Sequence, residues 1–282
     1  MVHLLVLQGA EMSLNLRLNS FGADFIKFDS KKIKNKIGEC GEVTVLTTVD
    51  STNTYAKKKC FHGIADRSVI IAENQTAGRG RQGKQFYSPD GGLYMTVVFN
   101  ADGLKSDDIQ LLTVYVSVAV SEAIDDVCNA KTGIKWVNDI FVSERKVCGI
   151  LCEAVFNQKE SRVRHYIAGI GINVGEKEFP VDLKNIAGHV KCINGDINDL
   201  AAAVIVKIFD ILDTYSRDSV LEKYRSKMFL LGKQISFTLN DMQYFGIAHD
   251  INQYGNLIVQ CGEEYITLSS GEVSLGSSEF TK

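Results

Sequence analysis

Hydrophobic and polar positions along this chain repeat with two periods, and the switches between them mark its elements. Residues 1–41 show little of either, although "SKKIKNKIGE" predicts one or two helical turns capped by Ser30. From Val43 the pattern sharpens. "EVTVLTTV" is β-branched and predicts a strand, and "DSTNTYAKKKC" opens as a helix with Ser51, Thr52 and Asn53 at its cap. "RSVIIAE" predicts a buried strand and "GLYMTVVF" another. "SDDIQLLTVYVSVAVSEAIDDVC" has helix length, with a Ser106 cap and two early aspartates. Four strand-like pieces follow, "GIKW", "DIFVSERKV", "GILCEAVF" and "RVRHYIAGIGINV", with tight connections such as Ser143-Glu144-Arg145. Helical periodicity returns in "INDLAAAVIVKIFDILDTYS" and "DSVLEKYRSKMF".

After Gly232 the texture changes to short strands, "KQISFTL", "QYFGIAHDI", "GNLIVQC", "EYITL" and "GEVSL", separated by Asn, Asp and Gly. That spacing predicts a small β-barrel of about 50 residues and a boundary near Leu231. The expected division is a 1–42 extension, a 43–231 domain and a 232–282 domain.

Composition narrows the classes. The 282 residues are 45% hydrophobic and 23% charged, an ordinary globular balance. The net charge of −3 gives no general attraction to nucleic acid, so any cationic site must be local. No apolar run approaches the roughly 20 residues of a membrane helix. The start "MVHLLVLQGAEMSLNLRL" lacks a basic region and a clear cleavage site, so neither a membrane partner nor a signal peptide is expected. Seven scattered cysteines without a C-x-x-C pair fit reduced thiols in the cytoplasm. The five histidines lack ligand spacing, so no protein-held metal is expected.

The densest chemistry lies in "AENQTAGRGRQGKQFYSPDGGLY", residues 72–94. Gly78 to Lys84 nearly spells a phosphate-binding loop, but Gln85 stands where a magnesium-binding hydroxyl belongs. Pro89 and Gly91-Gly92 also stop the helix such a loop must enter. "GIGINVG", Gly169 to Gly175, mimics a dinucleotide fingerprint with the wrong spacing. By itself a basic glycine loop reads as a solvated turn. Its company changes that: a Ser-Thr-Asn cap upstream, "KWVND" and "RK" downstream, and Asn173 at a strand end are polar or cationic residues where strands meet loops.

With these motifs the chain, from about residue 43 to its C-terminus, resembles the biotin protein ligases (biotin–[acetyl-CoA-carboxylase] ligases). "STN" at 51–53, "AENQTAGRGRQG" at 72–83, "KWVND" at 135–139, "RKVCGIL" at 145–151 and "GIGIN" at 169–173 stand in the family's order and spacing. Val137 departs from the family's usual proline, which should alter local stiffness rather than chemistry. The arginine- and glycine-rich signature of lipoate ligases, which share the catalytic fold, is not found.

The resemblance implies an α/β (α+β) mixed-sheet catalytic domain of the biotin/lipoate ligase type, followed by an SH3-like β-barrel. It implies an enzyme that uses biotin, ATP and Mg2+, the metal arriving with ATP. Biotin and ATP would form biotinyl-5′-AMP, and a lysine of a biotin carboxyl carrier domain would take the biotin. Each pair of like unit charges brought to 4 Å costs about 4 kcal/mol at an effective dielectric near 20, so the first step needs cations. By similarity, Ser51, Thr52, Asn53, Gln75, Gly78, Arg79, Gly80, Arg81 and Lys146 fall to biotin. Arg79, Arg81, Lys84, Phe86, Trp136, Asn138, Lys146 and Asn173 fall to ATP or the adenylate. Lys146, Arg81 and Asp139 are the catalytic group, with Asp139 orienting the incoming lysine or taking its proton. Gly78 would let the backbone approach the ligand, and Trp136 and Phe86 would wall apolar parts of the site.

Read without the resemblance, the same residues have plainer roles. Ser51 caps a helix, Trp136 fills a core, Lys135 and Asp139 pair on the surface, and Asn173 forms a turn. Cys148 and Cys152 are small buried residues, and Lys146 is a solvated hairpin lysine. The rival classes are a bifunctional ligase and transcriptional regulator, and a non-catalytic biotin-binding module. Residues before the first motif strand do not show two patterned helices and a recognition helix, so the monofunctional type without nucleic-acid binding is expected. Lys146 and Arg81 speak against a mere binder. A homodimer stays open.

Overall fold

Alternation along the strands decides this architecture, because the main sheet packs the main core on one face and carries a second small core and a hollow on the other. The computed structural model describes residues 28–101, 109–157, 161–176 and 178–275. Ser106 and its two aspartates, and the first 27 residues of the extension, lie outside them.

Helix α1 (Ser30–Ile37) buries Ile33 and Ile37, one turn apart. Its cap is Asp29 rather than Ser30: the carboxylate accepts the Lys31 and Lys32 N–H groups at 2.9 and 3.1 Å. A negative charge suits the positive end of the helix dipole. Strand β1 (Glu42–Val49), helix α2 (Thr52–Phe61) and strand β2 (Ser68–Gln75) follow, then β3 (Leu93–Asn100) and helix α3 (Ile109–Cys128). Next come β4 (Gly133–Lys135), β5 (Asp139–Val142), β6 (Arg145–Asn157) and β7 (Arg162–Ile172), and helices α4 (Ile197–Thr214) and α5 (Arg217–Lys227). "DIFVSERKV" is therefore two strands. The chain reverses at Ser143 and Glu144, both at positive φ, and "RKV" belongs to the long β6.

The seven strands run in the order β1-β2-β3-β7-β6-β5-β4, parallel only between β1 and β2. Ile170 and Ile172 on β7, Met95 and Val97 on β3, and Val69 and Ile71 on β2 face the main core. There they join buried residues of α1, α3, α4 and α5. Their neighbours point the other way. Ile70, Val98, Ile167 and Val155 meet Ala56 and Cys60 of α2 in a second small core. Beyond α2 on that same face, the cross-strand partners are Thr96, Gly169 and Leu151, then Tyr94, Gly171 and Gly149. "GIGI" is thus a two-faced strand, with isoleucines in the core and glycines as the floor of a hollow.

Strands β8 (Gln234–Leu239), β9 (Met242–Ile251), β10 (Leu257–Cys261), β11 (Glu264–Leu268) and β12 (Val273–Leu275) form an antiparallel sheet ordered β11-β10-β9-β8-β12, consistent with an SH3-like fold. It is moored by its β9–β10 turn. Gly255 at positive φ leaves no room for a Cβ, which would stand 2.8 Å from Val114, and its carbonyl accepts the Trp136 indole N–H at 2.9 Å. Arg225 adds bonds to Asp250 and to the Ile251 carbonyl. Trp136 is 3% exposed, so it is the buried residue that the plainer reading described, with its one polar group spent on the second sheet. Trp136→Phe keeps an aromatic ring but removes that bond and the rest of the indole, which leaves a small void. It is expected to cost about 1–3 kcal/mol of stability, measured by denaturant unfolding.

Candidate active site

On the glycine floor lies a cavity of about 270 Å³. Its walls hold Ser51, Thr52 and Asn53 from the start of α2, Gln75 from the end of β2, and Arg79, Gly80, Arg81, Lys84, Gln85 and Phe86 from the glycine loop. Lys135, Trp136, Asn138, Asp139 and Lys146 come from the β4–β6 edge, and Gly271 to Ser274 from the second sheet. Every predicted site residue lines it except Gly78 and Asn173.

The α2 end is pre-set by its own bonds. Ser51 occupies the cap position, but its hydroxyl makes no cap hydrogen bond. Thr52 donates its N–H and hydroxyl to Gln75 Oε1 at 2.8 and 3.1 Å, and Gln75 Nε2 donates to Ser88 Oγ at 2.9 Å. Asn53 accepts from Thr96 Oγ1 at 2.6 Å and donates to the Leu151 carbonyl and Glu153. A Cβ on Gly169 would strike Asn53 Oδ1 at 2.2 Å, so glycine there makes room for this asparagine.

The glycine loop folds back on itself. Gly80 and Phe86 donate to the carbonyls of Lys84 and Gly78 around a 3-10 turn at Arg81–Gly83, and no longer helix follows. Gly78 is enclosed by its own chain. A Cβ there would come within 2.4 Å of the Phe86 carbonyl and of Ser88 Oγ, so its smallness serves the hairpin, not a ligand's approach. The Phe86 ring lies over Gly171 and Gly149 and packs edge-on to Tyr94, which makes it an apolar wall as expected from its type.

Each loop cation has a partner. Arg79 meets Glu153 at 3.3 Å, Arg81 donates to Asn138 Oδ1 at 3.0 Å, and Lys84 sits 2.5 and 2.7 Å from the Glu272 carboxylate oxygens. Asn138 is fixed in turn by donating to the Ile150 carbonyl. Lys146 pairs with Asp139 at 2.7 Å, on the oxygen that has no directed hydrogen bond, so the pair is close but loosely aimed. Lys135, the cross-strand partner of Asp139, is therefore not in the ion pair that the plainer reading gave it. Burial holds its ammonium below the ordinary lysine range, the Lys146 charge adds to this, and Asp139 opposes it. Glu272 is held below the usual carboxylate range, first by its bond from Lys84 and also by the charges of Lys84, Lys135 and Arg81.

The Lys146 backbone is clamped. Its N–H donates to the Ile186 carbonyl and its carbonyl accepts from Gly188, each at 2.9 Å. Asn173 holds that segment rather than the cavity: its side-chain amide donates to the Gly188 carbonyl at 2.9 Å. Cys148 is buried and Cys152 partly buried, and burial pushes both thiols up, that of Cys152 to about 12. All seven cysteines are free thiols. No group of three metal-ligating side chains occurs among the described residues.

Five cations in the lining (Arg79, Arg81, Lys84, Lys135, Lys146) face two carboxylates, Asp139 and Glu272. Such a wall attracts anions and lowers the cost of placing two of them together. Glu272 and Glu153 escaped the sequence reading because each reaches the loop from a distant part of the chain, with no local motif to mark it.

The profile of the biotin/lipoate A/B protein ligase family matches residues 45–173, and that of the biotin protein ligase C-terminal domain matches residues 230–276. The bifunctional ligase/repressor BirA of Salmonella typhimurium is 28% identical over 258 residues, 89% of this chain and 79% of its own length. The biotin–[acetyl-CoA-carboxylase] ligase of Paracoccus denitrificans is 28% identical over 82% of this chain and 100% of its own. The structure of the biotin protein ligase from Aquifex aeolicus in complex with biotin and ATP aligns with a TM-score of 0.70 at 28% identity, over 83% of this chain and 98% of that one. No described helix is long and apolar enough to cross a membrane.

Proposed function

Since the chain belongs to the biotin protein ligase family, we propose that its cavity joins biotin to AMP and passes the biotin to a lysine of a biotin carboxyl carrier domain. The observation that supports this most is convergence. Residues of all five sequence motifs, up to 120 positions apart, line one cavity with a glycine floor and a cationic wall. The same reading divides the chain into a 1–42 extension, a catalytic part 43–231 and a C-terminal part 232–282. It also places the protein, with its free thiols, in the cytoplasm.

In the first step an oxygen of the biotin carboxylate attacks the α-phosphorus of ATP, and pyrophosphate leaves with the bonding electrons. Magnesium enters as part of Mg-ATP. Lys146, Arg81, Lys84 and Lys135 offset the charge gathered between carboxylate and phosphates. In the second step the carrier lysine attacks the acyl carbon and AMP leaves. Asp139, beside Lys146, receives the proton that the amine must shed. Ser51, Thr52, Asn53 and Gln75 form the polar end for the biotin ring, and Phe86 and Trp136 form apolar wall.

The test is exchange of labelled pyrophosphate into ATP. Exchange that depends on biotin supports the reading. Exchange with lipoate and not biotin would reassign the substrate, and none with either would remove the activation step. A net charge of −3 also argues against regulation through DNA: sequence-specific duplex binding at physiological salt is expected to be absent in a mobility-shift assay.

A further inference from the structure

Glu153 lies on β6 opposite Ile167, on the same face as Gly149 and Leu151, but does not line the cavity. One oxygen takes the Lys57 ammonium at 2.7 Å and the other takes the Asn53 amide at 2.9 Å. Asn53 and Lys57 stand one turn apart on α2, so helix and sheet fix this carboxylate from two sides. Its side chain is 17% exposed, against 44% for Arg79, which sits between Gly78 and Gly80. The guanidinium faces both oxygens, at 3.3 and 3.5 Å. A carboxylate held from two sides thus meets a more exposed guanidinium, so the acceptor sets where the donor rests.

We propose that Glu153 is a positioning residue that seats Arg79, and with it the first half of the glycine loop, against the α2 end of the cavity where biotin would lie. The proposal rests on the biotin ligase reading of the site. It divides the cations by task. Arg79, neutralised by Glu153, shapes the biotin half, while Arg81, whose partner is the neutral Asn138, remains to meet phosphates. Glu153 is no acid catalyst. Burial opposes its ionisation, but bonds from Lys57 and Asn53 and the charges of Lys57 and Arg79 outweigh that and keep it below the usual carboxylate range.

The experiment is a double-mutant cycle of Glu153→Gln and Arg79→Gln, read by biotin-dependent pyrophosphate exchange. Each single variant is expected to raise KM for biotin about tenfold, with KM for ATP changed less than about twofold. The double variant should be no worse than the worse single, because the pair acts as one unit. Arg79→Lys, which keeps the charge but loses the fork, should fall between. Additive effects, an unchanged KM for biotin, or equal increases for biotin and ATP would each overturn the proposal. If Glu153→Gln folds poorly by thermal unfolding, Arg79→Gln and Arg79→Lys on the exposed loop decide it by the same split. Wild-type protein without biotin-dependent exchange would sink the reading of the site instead.

Discussion

Replacing Lys146 by alanine is expected to slow biotin-dependent pyrophosphate exchange by about 10²–10³-fold, the usual loss when one preorganised stabiliser of developing charge is removed. Folding should suffer far less. The Lys146 and Asp139 side chains are 30% and 24% exposed, and solvent screening holds such a pair to roughly 1 kcal/mol. The backbone clamp from Ile186 and Gly188 uses main-chain atoms and survives the substitution. The check is exchange rate and unfolding midpoint on the same preparation. Normal exchange would show that Lys146 has the wrong role, and a collapsed midpoint would show that it is structural.

Arg81→Gly is expected to separate making the adenylate from holding it. The substitution removes a charge-assisted contact worth about 1.5–3 kcal/mol and the tie to Asn138, while Lys146 and Lys135 remain. Retention of the adenylate should fall roughly ten- to a hundredfold. Escaped biotinyl-5′-AMP, a reactive mixed anhydride, would then label lysines of bystander proteins. Biotin on an unrelated protein mixed with the variant measures this. Labelling confined to the carrier would show that Arg81 is not the clamp, and loss of all activity would show that it is needed for the first step.

How far the sequence could be read depended on the range of the forces involved. "EVTVLTTV" and the long α3 declared themselves because period and side-chain type are local. The β5–β6 turn also showed, as the tight Ser143-Glu144-Arg145 connection, but not the bounds of its strands, since nothing local tells that "RKV" runs on into the long β6. The α1 cap was misplaced by one residue because Asp29 and Ser30 are both good caps, and only the hydrogen bonds choose. "GIGI" read as a faulty fingerprint because its meaning lies across the sheet, where Gly169 leaves space for Asn53 and Gly171 for Phe86. Most candidate site residues came from motif resemblance, and the structure gathers them at one cavity. Their supports stayed hidden. Glu153, Glu272 and the Gly188 carbonyl that takes Asn173 all act across long stretches of chain.

The most direct measurement of the central claim is mass spectrometry of a purified biotin carboxyl carrier domain after incubation with this protein, biotin and Mg-ATP. The account requires a mass gain of one biotinyl group on one lysine, lost when ATP or biotin is left out. A carrier domain that a known biotin ligase modifies, but that this protein leaves unchanged, would contradict it.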